Sequence, residues 1–216
     1  IGNYELSKKY LEKSLILNKK NYGSKSEDVS LTLTNLGILY SILGEYKKAL
    51  EVLKKSNKIN SKIYFINFKE FPKTLIYLCH VYCLVGKNES SKYHFQKVIE
   101  IYKKTTKENI NLIDFAIGLT YFGNFNSING ENKNSEKLFI EAIEILEKKL
   151  GKTHPITCNS YSYYSTILFD LGKYKETNNY GLISLKIYEK IYDKNHLKLF
   201  YPIHLEIIII NNIKIY

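Results

Sequence analysis

Five glycines, Gly2, Gly44, Gly86, Gly130 and Gly172, stand at intervals of 42, 42, 44 and 42 residues, and a fixed period constrains a chain more than any local propensity does. Their neighbours repeat with them. Five residues after each stand Ser7, Ala49, Ser91, Ser135 and Thr177, all small; nine after stand Leu11, Leu53, Phe95, Phe139 and, as the exception, Gly181. Seven before the last four stand Gly37, Cys79, Gly123 and Ser165, again small, and eight before stand Leu36, Leu78, Phe122 and Tyr164, all bulky. A bulky residue beside a small one on one helix, a turn, then small and large residues at helical spacing on the next is what two antiparallel helices need for close approach. Leu36, Leu39, Tyr40 and Leu43 make one apolar stripe of helical period, and each frame glycine sits where a left-handed residue would end the first helix of a pair.

The pattern predicts helices over 3–20, 28–43, 46–60, 73–85, 88–105, 112–128, 132–150, 156–171, 174–192 and 197–213, with an irregular connection over 61–71 and Pro72 in the first turn of the helix that follows. The expected fold is all-α: a right-handed α-solenoid, or superhelix, of stacked antiparallel helix pairs. Residues 1–216 read as a single repeat array: 1–27 as the second helix of a truncated repeat, 28–71, 72–111, 112–153 and 154–195 as repeats, and 196–216 as the first helix of another truncated repeat. The chain lacks methionine even at position 1 and is expected to be a piece of a longer protein. The apolar run Ile207–Ile210 would then leave a solenoid end uncapped, and self-association through such ends is expected. Three cysteines, Cys79, Cys83 and Cys158, are too few for a disulfide framework, and no stretch of eighteen apolar residues runs without a charge. A cytoplasmic protein without a membrane span is expected.

The stretch Asn35-Leu36-Gly37-Ile38-Leu39-Tyr40, followed by Gly44-Glu45-Tyr46-Lys47-Lys48-Ala49-Leu50, resembles the tetratricopeptide repeat, whose usual period is about 34 residues. The longer period and the link Leu150-Gly151-Lys152-Thr153-His154-Pro155 resemble the kinesin light chain subtype of that repeat. The histidine-proline link is intact once, with Tyr22-Gly23 as its trace earlier. The resemblance implies that the first helices of the repeats line a concave groove. It also implies that the residues nine before the frame glycines (Asn35, Tyr77, Tyr121, Tyr163) and six before (Ile38, His80, Asn124, Thr166) face it, with Lys73 in a groove register beside Asn35. These nine are the candidate peptide-binding residues. The tyrosines offer rigid area plus a hydroxyl, and the two asparagine amides can bond an extended peptide backbone. A clamp for a terminal carboxylate, as some members of the family have, is incomplete, because its next cation would fall at Tyr77.

Other chemistry finds little support. Cys79 and Cys83 lie one helical turn apart, which is half of a zinc site, and no second pair matches them. No phosphate-cradling glycine motif occurs, and no base and orienting group accompany a serine or cysteine nucleophile. No metal, cofactor or enzyme activity is expected. The cations, 32 against 21 acidic residues for a net charge of +11, are all lysine, and an arginine-free surface argues against a nucleic-acid partner. Plentiful Lys, Asn, Ile and Tyr fits the drift of an AT-rich genome. Lysine pairs on the second helices, interspersed with glutamates, read as a solvated outer face. The expected function is a non-catalytic protein–protein interaction scaffold that holds a peptide segment of a partner in the concave groove. The alternatives are a peptide-responsive regulatory sensor, the scaffold domain of a larger enzyme, or a lysine-rich binder of acidic partners or RNA.

Overall fold

A computed structural model describes residues 4–63, 71–104 and 111–191. Among the described residues there are nine helices and no strand: α1 (Tyr4–Tyr22), α2 (Glu27–Ile42), α3 (Tyr46–Ile63), α4 (Phe71–Leu84), α5 (Asn88–Lys104), α6 (Leu112–Ile128), α7 (Asn132–Leu150), α8 (Pro155–Asp170) and α9 (Tyr174–Ile191). The architecture is an all-α helical repeat. Gly2, most of the expected 61–71 connection, the expected helix over 197–213 and the Ile207–Ile210 run lie outside the described residues.

Each described frame glycine ends a first helix by one device. Gly44, Gly86, Gly130 and Gly172 have φ of 75°, 72°, 77° and 73°, the left-handed region that a side chain would strain. After α2, the Gly44 N–H donates to the Ser41 carbonyl at 3.2 Å and the Glu45 N–H reaches back to Tyr40 at 2.9 Å. The same pair of bonds closes α4, α6 and α8, through Lys87 to Tyr82 at 2.8 Å, Glu131 to Asn126 at 2.8 Å and Lys173 to Leu168 at 2.8 Å. The chain therefore turns within three residues at every pair, and the second helix lies back against the first.

Two compact units divide at Gly118 and Leu119, within α6. In the N-terminal unit, residues 2–118, the core gathers Leu36, Tyr40, Ala49, Leu53, Leu78, Val81 and Tyr82. Gly37 is small because Leu53 fills its place: a Cβ built there would lie 2.4 Å from Leu53 Cγ. In the C-terminal unit, residues 119–216, the core gathers Phe139, Ile143, Tyr161, Tyr164, Ile167 and Leu168, and the Phe139 ring lies 3.0 Å from where a Cβ on Gly123 would be. The small residue at the start of the second helix adds a polar clasp. Ser91 Oγ donates to the Cys79 carbonyl at 2.9 Å, and Ser135 Oγ to the Gly123 carbonyl at 2.7 Å. One bulky position departs from expectation. Phe122 is half-buried, not core, because it stacks on Phe125 at 5.3 Å and it is Phe125 that enters the interior.

Candidate first-helix binding surface

The first helices of the pairs are α2, α4, α6 and α8. Their starts are fixed locally where a cap is visible. Ser26 Oγ accepts from the Val29 N–H at 3.3 Å at the start of α2, and His154 Nδ1 accepts from the Ile156 N–H at 3.2 Å at the start of α8, with Pro155 in the first turn. The linker histidine is thus a helix cap, more than the simple turn residue its sequence position suggests.

Successive first helices are pinned side by side by a contact that recurs in register. Thr34 Oγ1 of α2 and Thr74 Oγ1 of α4 are 2.8 Å apart; Thr120 Oγ1 of α6 and Ser160 Oγ of α8 are 2.7 Å apart. The same register between α4 and α6 is apolar, where Ile76 closes over Gly118 with its Cγ1 3.1 Å from where a Cβ would stand. In the first of these joints the hydroxyls belong to a wholly buried polar cluster. Ser56 Oγ lies 2.8 Å from both Ser30 Oγ and Thr34 Oγ1, Asn60 Nδ2 donates to Thr74 Oγ1 at 3.0 Å, and Ser30 Oγ donates to the side-chain Oδ1 of Asn60. Sequence reasoning missed this cluster. The joint itself left a signal, since twelve residues before the frame glycines stand Thr32, Thr74, Gly118 and Ser160, all small, but only Thr74 of these belongs to the cluster.

All nine candidate residues are half-buried. Asn35, Ile38, Lys73, Tyr77 and His80 belong to the N-terminal unit, on α2 and α4; Tyr121, Asn124, Tyr163 and Thr166 belong to the C-terminal unit, on α6 and α8. Their sequence neighbours alternate with them: Leu36, Gly37, Leu78, Cys79, Gly123, Tyr164 and Ser165 are buried. Tyr77 packs one side against the N-terminal core and Tyr163 against the C-terminal core. Thr166 Oγ1 turns back to the Ser162 carbonyl at 3.3 Å, so its hydroxyl is partly committed to its own helix. The Asn35 and Asn124 side-chain amides make no hydrogen bond among the described residues. Burial holds the His80 imidazole down at about 4, which keeps it neutral near pH 7 and able to both donate and accept.

The thiols beside His80 are packing groups. Cys79 and Cys83 are buried and unbridged, and Cys79 Sγ lies 3.2 Å from Ser91 Oγ. Burial pushes the Cys79 thiol up to about 12, far from a metal-binding thiolate. Among the described residues no three His, Cys, Asp or Glu side chains are placed to hold a metal ion, and no helix is long and apolar enough to cross a membrane.

Comparison with known proteins agrees with this architecture. Family models described as tetratricopeptide repeat match residues 1–60 and 119–156. No curated protein matches the sequence. Among solved structures, a Podosopora anserina kinesin light chain candidate with nearly identical TPR-like repeats superposes with a TM-score of 0.56 at 17% identity, covering 89% of this chain and 90% of that one. BtubC (BKLC) from P. vanneervenii superposes with a TM-score of 0.66 at 11% identity, covering 95% of this chain and 85% of that one. Repeats of this family generally serve as scaffolds for protein–protein interaction. The glycine-closed helix pairs, the recurring joint between first helices and these superpositions give the chain the all-helical repeat fold of kinesin light chain-like arrays, and its residues 1–60 and 119–156 are similar to the tetratricopeptide repeat.

Proposed function

We propose that this protein is a non-catalytic, cytoplasmic scaffold that binds a peptide segment of a partner protein on its first helices, at Asn35, Ile38, Lys73, Tyr77 and His80 in the N-terminal unit and at Tyr121, Asn124, Tyr163 and Thr166 in the C-terminal unit. The observation that carries this reading is the split between adjacent registers. Residues eight and seven before the frame glycines are buried in nearly every repeat, while those nine and six before keep part of their surface in water. A half-buried tyrosine has its ring held and its edge open, so little rotamer freedom remains to be lost when a peptide docks. The uncommitted amides of Asn35 and Asn124 supply donors and acceptors of the kind an extended backbone needs.

Selection of binding peptides from a random library on the whole chain, followed by hydrogen exchange with and without the best binder, tests the reading. Slowed exchange confined to α2, α4, α6 and α8 is the expected result. Slowed exchange confined to second helices would overturn it.

A further inference from the structure

The second helices carry charge unevenly. In the N-terminal unit α1, α3 and α5 bear 15 lysines against five glutamates, while α2 and α4 together bear one lysine. In the C-terminal unit α7 and α9 bear seven lysines against six glutamates. Compositional drift would enrich both units alike, so the excess in one of them needs another cause. Lys20, Lys62, Lys104, Lys148 and Lys190 recur eighteen residues after the frame glycines, in the last turn of each second helix, where the helix dipole favours a cation. Lys13, Lys55 and Lys97 have no such explanation. They share the register eleven residues after the frame glycine, in mid-helix, and are all exposed; the C-terminal unit carries Glu141 and Ile183 there.

The three basic helices send side chains to shared rings of the first helices between them. Lys8 of α1 and Lys48 of α3 stand over one ring, that of Tyr40, at 5.9 and 5.7 Å from its centroid. Lys54 of α3 stands 5.8 Å over the Tyr82 ring, whose centroid is 5.1 Å from that of His94 on α5. Few of these cations are neutralised within the unit. Among the described residues Lys48 pairs with Glu45 and Lys55 with Glu51 at 2.6 Å, both in solvent, where such pairs contribute little.

We propose that Lys13, Lys55 and Lys97, bordered by Lys20, Lys62 and Lys104, form a second docking surface, on the outer side of the N-terminal unit, for an Asp/Glu-rich protein segment laid across α1, α3 and α5. Charge complementarity argues for the occupant. Of the rings on these helices and beneath them, Tyr40 and Tyr82 are buried under lysines and the Tyr93 ring has Lys97 4.5 Å from its centroid, which among the described residues leaves Tyr10 and Tyr22 of α1 as the exposed rings free of a lysine, too few to stack a strand of bases across all three helices. Lysine meets either anion as a point charge, and the surface lacks the arginines that nucleic-acid readers use for bidentate phosphate and base contacts.

The test measures fluorescence anisotropy of labelled oligoglutamate, of oligouridylate of equal length, and of labelled phosphatidylserine vesicles with the whole chain. Oligoglutamate should bind best, and the triple variant Lys13→Glu, Lys55→Glu, Lys97→Glu should weaken it by about tenfold or more and make the logarithmic salt dependence shallower by roughly three contacts. The matched reversal Lys133→Glu, Lys137→Glu, Lys186→Glu in the C-terminal unit should change it less than about twofold. A triple glutamine variant of Lys13, Lys55 and Lys97, checked for an unchanged melting curve, guards against misfolding and should also lose affinity. Tighter binding of the RNA or the vesicles, equal loss from the matched reversal, or no binding of oligoglutamate would each overturn the proposal.

Discussion

At the scale of single residues, the fold rests on pairs in which one side chain occupies the space another lacks. Gly37 and Leu53 are such a pair, and they should behave non-additively. Leu53→Ala empties a fully buried site and should cost about 2–5 kcal/mol, and Gly37→Ala drives a methyl into Leu53 and should cost on the order of 1–3 kcal/mol. The double variant, measured by urea denaturation, should be more stable than the sum implies, because the new methyl then meets space. Simple additivity would mean the two do not pack as described. His80 supplies a pH dependence. Its pKa is about 4 in the folded chain against an ordinary 6.5, so between these values the unfolded chain takes up a proton that the folded one refuses. Stability should therefore be complete above about pH 6.5, decline as pH falls toward 4, and level off below. His80→Gln should remove that part of the decline in thermal melts; parallel curves for variant and parent across this window would contradict the burial. The Gly37–Leu53 match was legible in the sequence, as two registers that keep their size class. The Ser30, Thr34, Ser56, Asn60 and Thr74 cluster was not, because short polar side chains look alike whether they face water or one another, and only three-dimensional pairing satisfies them.

At the scale of helices, two glycines of opposite meaning make the periodic frame testable. Gly44 closes α2 at a φ of 75°, so Gly44→Ala should lower stability by roughly 1–2 kcal/mol through backbone strain alone, since a Cβ there would touch nothing. Gly181 lies inside α9 in the register that holds Leu53, Phe95 and Phe139 elsewhere, and a Cβ there also meets nothing within 4 Å. Gly181→Ala should raise stability by about 0.5–1 kcal/mol, the ordinary gain of alanine over glycine in a helix interior. Circular dichroism melts of the two variants should move in opposite directions, and movement in the same direction would break the frame. Helix positions were legible almost to the residue where turns are closed by frame glycines: α6 and α7 begin and end where the period places them, and α5 differs by one residue. Other ends were less so. The start of α2 falls one residue before expectation and α3 continues to Ile63, past the expected 60, because a helix continues until a residue stops it and no glycine or proline stands there. Phe122 was misplaced for a related reason, since two phenylalanines three residues apart on one helix compete for a single interior site.

At the scale of the whole molecule, repetition fixes a fold long before it fixes a partner. The registers that pair helices are constrained by packing and hence repeat; a register that would meet a ligand varies from Ile38 to His80 to Asn124 to Thr166, as positions free of the core can. That is why the architecture was readable from a period while the bound segment was not. The measurement that tests this division most directly compares Tyr121→Ala with Leu36→Ala for binding of a library-selected peptide and for thermal stability. Tyr121→Ala should weaken binding by about 2 kcal/mol, near thirtyfold, and barely move the melting temperature. Leu36→Ala should cost about 2–5 kcal/mol of stability and leave the affinity of the folded fraction intact. If instead Tyr121→Ala unfolds the chain and the folded remainder binds as before, the register nine residues before the glycine belongs to the core and the first-helix surface is not the binding site.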